Sequence, residues 1–430
     1  MNKRVYADIG IILLIAVSFR LLLVLLLARA DWPGSIPGYD HDAVEYHTLA
    51  IAILRGEGLV NLYRMPLYPC FLALLYKVFG IWFLPVRIIQ ILIGSATCCV
   101  LYFFVRTVRN DRNEAYWSAL LLAVYPFHAI YSTILITETV FIALFVTALF
   151  LFARSLVRQS PVISIPAGMV FGLSLLCRPV VLPLVVVLSV YCIAAGCDLR
   201  RKLQTCICLI GGFLIVVSPW GFANARVYGQ YRLLPPGNGG GIMLLGTYDA
   251  TELKRGDYEM YLRSWQTVMA SADARQAALI DRQTFRVAIR RIRNAPGKYV
   301  LIRTRAVVKG WTEGNDMQFG LSTPMRECVR ERQYGALLGK ILLRLVQPVV
   351  LLFAAVGVLF RRRSRYDPVM LIPLWYHVLI FLPLYVELRY LVPIMPCVLL
   401  FTVLGTNTLA SRLFSVGHNA GRNSKTLGSG

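Results

Sequence analysis

The chain opens on an apolar run, and a short polar link leads from it to an acidic motif: Ile9-Gly-Ile-Ile-Leu-Leu-Ile-Ala-Val-Ser-Phe-Arg-Leu-Leu-Leu-Val-Leu-Leu-Leu27 precedes Tyr39-Asp40-His-Asp42-Ala-Val-Glu45-Tyr46. A run of this length matches the roughly 20 residues that a helix needs to cross a bilayer. The acidic motif is therefore predicted to lie just outside the first membrane span. Carboxylates at a bilayer surface, on a chain otherwise built for lipid, favour chemistry performed at that surface.

The rest of the composition indicates a multi-pass membrane protein. The chain has 430 residues, of which 57% are hydrophobic and only 16% charged, and its mean hydropathy is +0.62. Ten apolar runs are predicted to cross the membrane, near residues 8–28, 84–105, 115–133, 138–154, 162–177, 179–197, 203–222, 338–360, 368–385 and 390–410. The net charge of +23 would suggest nucleic acid in a soluble protein. Here much of it falls in short turns between apolar runs, so no nucleic-acid partner is predicted.

Basic clusters set the predicted topology. They occur at 3–4, 106–112, 154–158, 200–202, 361–365 and from 412 onward. If each marks a cytoplasmic turn, as the positive-inside bias predicts, ten spans alternate with both termini inside. The apolar segment 65–80 must then be a juxtamembrane or re-entrant helix on the outer side, because a further span there would invert every later turn.

This topology predicts an all-α polytopic fold in three parts. Residues 1–222 form a membrane module with a first outer loop at 29–83. Residues 223–337 form an outer, helical segment, in which the glycine run Gly239-Gly-Gly241 is predicted to be a flexible turn because it lacks the Lys-Ser/Thr of a phosphate-binding loop. Residues 338–430 add the last membrane helices and a cytoplasmic tail.

The same topology gathers ionisable side chains at the outer mouths of several spans, where they are predicted to share one cavity. These are Asp40, Asp42, Glu45, Arg64, Glu138, Arg178, Glu387 and Arg389. An acid can take a proton from an attacking hydroxyl, and arginines bind phosphate through forked donors. A lipid-accessible cleft with both groups indicates group transfer from a phospholipid-like donor, and glycosyl transfer fits well.

No cofactor is required by this pattern, although a divalent cation is an option. Asp40, His41, Asp42 and His47 could ligate one, but their spacing is not that of a strong metal motif. The ten cysteines show no paired spacing of the zinc type, and most lie in apolar runs.

The motifs resemble the family of dolichyl-phosphate-mannose protein mannosyltransferases and bacterial lipid A aminoarabinose transferases. The resemblance lies in Asp42-x-x-x-Tyr46-x-x-x-Ala50-x-x-x-x-x-Gly56, Arg64-x-Pro66-x-Tyr68-Pro69, Ile134-Leu-Ile-Thr-Glu138 and Arg389-Tyr390-x-x-Pro393. The passage from Ser218-Pro-Trp220 through Asn224 and Gly229 to Gly239-Gly-Gly241 and Gly246 is also similar to many bacterial members. These proteins are integral-membrane glycosyltransferases of the C-type fold, so this resemblance implies that fold here.

The resemblance also implies roles for individual residues. Asp42 matches the first-loop acid that activates the acceptor hydroxyl, and Glu138 matches the acid of the second outer turn. Arg64 falls where aminoarabinose transferases have a phosphate-binding lysine, while Arg389 and Tyr390 match the closing Arg-Tyr on the donor side. Tyr46, Asp40, Glu45 and Arg178 complete the predicted substrate-binding set. Ala43 replaces a family glutamate, and Tyr63 replaces another, so the identity of the sugar and of the acceptor is left open.

The resulting prediction is an inverting hexosyl- or pentosyltransferase at the periplasmic face of a bacterial inner membrane. Its partners are a polyprenyl-phosphate sugar donor, membrane lipids, and a lipid, glycan or protein acceptor. Two alternatives stay open: an oligosaccharide ligase or polymerase with a pyrophosphate-linked donor, and a multi-pass transporter or flippase. A transporter would place ionisable residues near mid-bilayer in two related halves, whereas here the acids are predicted at one face.

Overall fold

A computed structural model describes residues 3–31, 41–58, 63–194, 198–237, 239–270, 273–312, 319, 321 and 323–426. The described part of the chain folds into helices and contains no strand. Two 3₁₀ turns, Pro161–Ile163 and Val392–Ile394, accompany twenty α-helices: α1 (Lys3–Asp31), α2 (His41–Leu54), α3 (Leu67–Phe79), α4 (Phe83–Arg109), α5 (Arg112–Val124), α6 (Pro126–Tyr131), α7 (Glu138–Arg158), α8 (Ser164–Cys177), α9 (Val181–Ala194), α10 (Leu199–Tyr228), α11 (Gly239–Leu245), α12 (Ala250–Arg255), α13 (Glu259–Ala270), α14 (Ala274–Asn294), α15 (Pro296–Thr312), α16 (Met325–Arg330), α17 (Tyr334–Phe360), α18 (Pro368–Phe381), α19 (Leu388–Leu391) and α20 (Met395–Thr426).

Six segments are long and apolar enough to cross a membrane, and they confirm the membrane class of the chain. They are Lys3–Leu26, Phe83–Arg109, Glu138–Arg158, Leu199–Tyr228, Tyr334–Phe360 and Leu388–Arg412. The predicted spans 162–177, 179–197 and 368–385 correspond to the shorter apolar helices α8, α9 and α18. Helix α3, with 13 residues, reaches only about 20 Å, which is less than the apolar thickness of a bilayer. It has the length expected of a juxtamembrane helix.

The predicted span 115–133 is not one helix. It divides into α5 and α6 at Tyr125, because Pro126 has no backbone N–H and disfavours helical backbone at the residue before it. The fully buried Arg20 of α1 binds the second half. Its guanidinium lies 2.7 Å from His128 Nδ1 and donates to Ser132 Oγ at 3.3 Å. The break therefore directs the chain after α6 toward the turn that precedes Glu138.

Small residues allow the membrane helices to pack closely. A Cβ atom on Gly168 of α8 would lie 1.9 Å from the Leu209 carbonyl oxygen of α10, and one on Gly212 would lie 2.2 Å from the Ile165 oxygen. Only glycine permits backbones to approach this far, and small residues are a common way of packing helices in lipid. This close contact fixes α8 against α10, and Arg178 follows directly after the end of α8.

The turns rich in basic residues meet at one end of the helices. Three contacts join them: Arg112 Nη2 to Asp8 Oδ1 at 2.6 Å, Arg109 Nη1 to Asp367 Oδ1 at 3.0 Å, and Arg201 Nη1 to Gln159 Oε1 at 2.9 Å. Glu138, at the start of α7, lies at the opposite end of its helix from Gln159. The basic turns therefore lie at one end of the helix bundle, and Glu138, an acid that the sequence predicted on the outer side, lies at the other end.

The segment between α10 and α17 is helical where it is described, but the prediction for its glycine run was wrong. Gly239, Gly240 and Gly241 form the first turn of α11 instead of a flexible turn. The backbone N–H of Gly240 donates to Asp281 Oδ1 at 2.7 Å, and a Cβ atom there would lie 2.1 Å from the Asp281 carbonyl oxygen. Gly240 is therefore the close contact between α11 and α14, because a side chain at this position would overlap the backbone of α14.

Candidate functional site

Helix α2 presents the acidic motif. The alternation of apolar and polar residues over 42–55, followed by Gly56, predicts an amphipathic helix that ends at this glycine. In the structure α2 spans His41–Leu54, and Gly56 has a positive φ of 74°. Asp42, Glu45 and Tyr46 lie three and four residues apart and therefore share one face of the helix. Three side chains that the sequence assigned to substrate or catalysis are held together by this local geometry alone.

Arg64 binds this face. Its Nη2 forms an ion pair with Asp42 Oδ1, its Nε donates to Glu45 Oε2 at 2.7 Å, and its Nη1 donates to the Tyr46 hydroxyl at 3.3 Å. The guanidinium also lies over the Tyr63 ring, 4.7 Å from its centroid. The Arg64 side chain is only 14% exposed, so one largely buried cation serves both carboxylates.

Arg389 approaches the same carboxylate from the other end of the chain. Its Nη1 donates to Asp42 Oδ2 at 2.7 Å, and its Nε lies 2.9 Å from Glu387 Oε2. Arg389 belongs to α19, the short helix that leads into α20. Each oxygen of Asp42 therefore has its own arginine, although 347 residues separate Asp42 from Arg389 in sequence.

The two arginines determine the charge state of Asp42. Burial alone would raise the pKa of this carboxyl, but the nearby Arg64 and Arg389 outweigh burial and hold its pKa at about 2. Asp42 is accordingly a carboxylate at any physiological pH. As long as both arginines stay on it, however, it is a weak proton acceptor.

A second ion pair lies beside the first. Glu138, the first residue of α7, has a side chain only 1% exposed, and its Oε1 accepts from Arg178 Nη2 at 3.0 Å. The Tyr390 ring lies between two guanidinium groups, 5.5 Å from that of Arg178 and 5.1 Å from that of Arg389. The ring thus connects the Glu138 pair to the Asp42 pair.

A buried hydrogen-bond chain supports Tyr46 from behind. The Tyr46 ring meets that of Tyr68 edge-on at 5.0 Å, and the Tyr68 hydroxyl donates to Gln90 Oε1 at 2.7 Å. Gln90 Nε2 in turn donates to the Ile134 carbonyl oxygen at 2.7 Å, in the turn that precedes Glu138. The sequence analysis gave Gln90 no role, although a lone amide inside an apolar span was a usable signal.

A cleft opens on the far side of Glu387. It has a volume of about 480 Å³ and lies between the turn after α11, helix α15 and the loop before α19. Tyr248, Tyr385, Arg305, Lys309 and Glu387 are among its lining residues. Glu387 also contacts Arg389, and Arg389 binds Asp42, so these two side chains link the cleft to the Asp42 carboxylate.

The remaining predicted ligands do not add to this cluster. Asp40 lies outside the described residues, as does the His41 side chain. The His47 ring contacts α3 and α4 instead, with Nδ1 3.0 Å from the Tyr76 hydroxyl and an edge-on contact with Phe83. Among the described side chains, no group of three His, Cys, Asp or Glu residues is placed to hold a metal ion.

Comparison with protein families gives one match. Residues 64–222 match the family described as dolichyl-phosphate-mannose-protein mannosyltransferase. This range begins at Arg64 and contains Glu138 and Arg178. It confirms the family resemblance that the motifs predicted, over that part of the chain. No curated protein matches the sequence.

Solved structures give the fold. The archaeal oligosaccharyltransferase AglB from Archaeoglobus fulgidus, in complex with an inhibitory peptide and a dolichol-phosphate, is 14% identical with a TM-score of 0.56, over 97% of this chain and 52% of that one. Its apo form gives 14% identity and 0.57, over 98% and 52%. ArnT from Cupriavidus metallidurans bound to undecaprenyl phosphate gives 13% and 0.43, over 93% and 78%. The chain spans about half the length of the oligosaccharyltransferases, and their match confirms a C-type membrane glycosyltransferase fold.

Proposed function

We propose that this chain, a membrane protein with the C-type glycosyltransferase fold, transfers a sugar from a polyprenyl-phosphate-linked donor to an acceptor hydroxyl. The reaction takes place at the periplasmic face of a bacterial inner membrane and inverts the anomeric centre. One observation carries the proposal: a carboxylate on the first outer helix lies between two arginines drawn from distant parts of the chain. A base and a phosphate clamp are thereby in contact.

The proposed reaction is a single displacement. The acceptor oxygen attacks the anomeric carbon while Asp42 takes the hydroxyl proton, and the bond from that carbon to the phosphate oxygen breaks. The donor phosphodiester carries one negative charge, and the departing lipid phosphate gains a second. Arg64 and Arg389 stabilise the charge that develops on the leaving group, which lowers the barrier most when the donors are already in place.

Donor binding must then rearrange the ion pairs. Both arginines that the proposal assigns to phosphate contact Asp42 in the structure. A phosphate between them competes with Asp42 for the same donors. Each contact that the carboxylate loses raises its pKa, since nearby cations are what lower it. The donor therefore makes its own base stronger, and Asp42 is kept inactive until the donor is bound.

Glu138 receives an orienting role in this proposal. Its buried carboxylate fixes Arg178, and Arg178 together with the Tyr390 ring forms the wall of the cluster next to Arg389. The cleft beside Glu387 is the proposed route for the acceptor, because Glu387 lines it and also pairs with Arg389. No nucleotide is needed, and the proposal does not require a metal ion.

A second candidate keeps the site and changes the donor. The likeness to an oligosaccharyltransferase fold favours considering an oligosaccharide ligase or polymerase with a pyrophosphate-linked donor. Against it, the two arginines on Asp42 match the two negative charges of a departing lipid monophosphate, whereas a departing lipid pyrophosphate carries a third. Turnover with matched monophosphate and pyrophosphate donors separates the two functions.

The test of the proposed base is Asp42→Asn. With purified protein and a polyprenyl-phosphate sugar, loss of a general base is expected to lower kcat by about 10²- to 10⁴-fold. Asp257→Asn is the matched control, because Asp257 is 49% exposed and pairs only with Arg255 among the contacts described. Turnover of Asp42→Asn close to that of the control would remove Asp42 from the role of base.

A further inference from the structure

A second cleft lies at the far end of the membrane helices. It has a volume of about 320 Å³ and is bounded by the last turn of α7, the end of α9, the start of α10 and the loop 361–367. Helix α7 has 21 residues and begins at Glu138, so the cleft is roughly 30 Å from the candidate site. It is therefore a separate feature, next to the basic turns.

The cleft is positively charged. Three cations and one carboxylate line it: Arg201, Lys202, Arg365 and Asp198. Asp198 is occupied, because it pairs with Arg201 Nε at 3.2 Å and caps the start of α10. Within the described residues, Lys202 Nζ donates to one group, the neutral Ile193 carbonyl oxygen, at 2.7 Å. Two positive charges are left without a compensating carboxylate in the cleft.

Arg365 is the cation best placed for a ligand. It is exposed, and no hydrogen bond or ion pair to its guanidinium occurs within the described part of the chain. Tyr191 and Tyr366 lie beside it in the lining and provide hydroxyl groups and ring faces. An arginine held over such a cleft presents a forked donor that suits a phosphate group.

The cleft borders an apolar surface. On α9, Val190 is 60% and Ile193 is 43% exposed, and on α10, Leu203 is 44% and Ile207 is 69% exposed. In a membrane protein such surfaces face acyl chains. A ligand that enters here can place a phosphate among the cations and hydrocarbon along α9 and α10. These are the two parts of an anionic phospholipid, and basic pockets between membrane helices are known to suit such headgroups.

We propose that this cleft is a binding site for the phosphate headgroup of an anionic phospholipid in the leaflet opposite the candidate active site. Arg365, Arg201 and Lys202 bind the phosphate, and the exposed apolar residues of α9 and α10 contact the acyl chains. The site would tie α7, α9, α10 and the loop before α18 to the membrane surface. It is independent of the proposed glycosyl transfer.

The experiment uses the purified full chain in detergent. Phosphatidylglycerol, phosphatidylcholine and soluble glycerol phosphate are titrated separately, and the bound ligand is counted by native mass spectrometry. The variants are Arg365→Gln, Arg365→Lys and Arg363→Gln. Arg363 is the matched control, since it is exposed on the same loop, two residues earlier, but does not line the cleft. All three substitutions affect exposed side chains, and size-exclusion chromatography checks that the variants stay folded.

The proposal expects phosphatidylglycerol to bind the wild type more tightly than phosphatidylcholine. Arg365→Gln should weaken phosphatidylglycerol about fivefold, the equivalent of about 1 kcal/mol for one basic side chain near an anionic headgroup. Arg365→Lys should retain most of the affinity, and Arg363→Gln should stay within about twofold of wild type. Equal losses in Arg363→Gln and Arg365→Gln would overturn the proposal in favour of diffuse surface charge. Equal binding of phosphatidylcholine, or of glycerol phosphate, would overturn the assignment to an anionic lipid.

Discussion

Removal of one arginine from Asp42 should make its protonation visible in the pH dependence of the enzyme. The perturbation is Arg389→Gln, which keeps a hydrogen-bonding side chain of similar shape and deletes the charge 2.7 Å from Asp42 Oδ2. Arg64 remains on the other oxygen. The variant therefore tests the effect of Arg389 on Asp42 while the ion pair between Arg64 and Asp42 is kept.

The size of the expected pKa change follows from the pKa that Asp42 has in the structure. The structure holds it at about 2 against an ordinary value of 3.8, a difference of about 2.5 kcal/mol in favour of the carboxylate. Burial acts in the opposite direction, so the two arginines together contribute more than that difference. An opposite charge at this range typically lowers a carboxyl pKa by roughly 1 to 3 units. Loss of Arg389 should raise the pKa of Asp42 to about 3 to 5.

The direction of the expected pH effect follows from the lowered pKa of Asp42, because the carboxylate persists until the pH falls to that value. For the wild type, kcat/KM should therefore show no acid limb from Asp42 above about pH 3. In Arg389→Gln the carboxylate of Asp42 is protonated earlier on acidification, and an acid limb should appear at about pH 3 to 5. Arg389→Lys keeps the charge and should keep the wild-type profile.

The assay is initial-rate transfer from a polyprenyl-phosphate sugar over about pH 3 to 8, with kcat/KM as the quantity that reports the free enzyme. Infrared difference spectra give a second readout that needs no turnover. A protonated-carboxyl band of Arg389→Gln that disappears when Asp42→Asn is added belongs to Asp42. An acid limb of Arg389→Gln that superimposes on that of the wild type, with no such band, would refute the electrostatic reasoning.

Two further predictions concern stability. Gln90→Leu should lower the free energy of unfolding by about 1 to 3 kcal/mol, because it removes the acceptor of the buried Tyr68 hydroxyl and one of the two donors to the Ile134 carbonyl; an unchanged thermal midpoint in detergent would contradict the assignment. Gly168→Ala should cost about 1 to 3 kcal/mol, since the new Cβ atom would lie 1.9 Å from the Leu209 oxygen. Gly211→Ala, on a glycine with open space around it, is its control and should be neutral or slightly stabilising in the same thermal assay; equal losses in both would show that close packing is not the cause.

The sequence was sufficient for the features that depend on local pattern. Apolar length located the six long spans, and amphipathic spacing with a following glycine gave α2 within one residue. The grouping of Asp42, Arg64 and Arg389 was also predicted, because alternating spans return the chain to the same face at known intervals. The structure brings these three side chains into contact. Their roles in catalysis stay predictions.

Contacts that depend on packing could not be predicted in the same way. Pro126 could be seen in the sequence, but the redirection of α6 also depends on the buried Arg20. This arginine binds one carbonyl of its own helix and two groups of α4, and its other partners lie 103 or more residues away in sequence. The helical start of α11 was missed because three consecutive glycines favour a turn locally. Packing against Asp281 of α14 overrides that preference. In both cases a tertiary partner decides, and no sequence window contains it.

The charge arrangement has a consequence for the mechanism. A carboxylate with a pKa of about 2 is a poor base, and yet the proposed mechanism assigns that role to Asp42. The conflict resolves if the arginines are shared ligands of acid and phosphate. In the free enzyme they keep Asp42 ionised and prevent it from activating water or an acceptor. When the donor phosphate binds them, the basicity of Asp42 increases at the moment when an electrophile is present. The acid limb of kcat should accordingly lie at higher pH than that of kcat/KM, because kcat reports the substrate complex. Coincident limbs would mean that the arginines do not leave Asp42 when the donor binds.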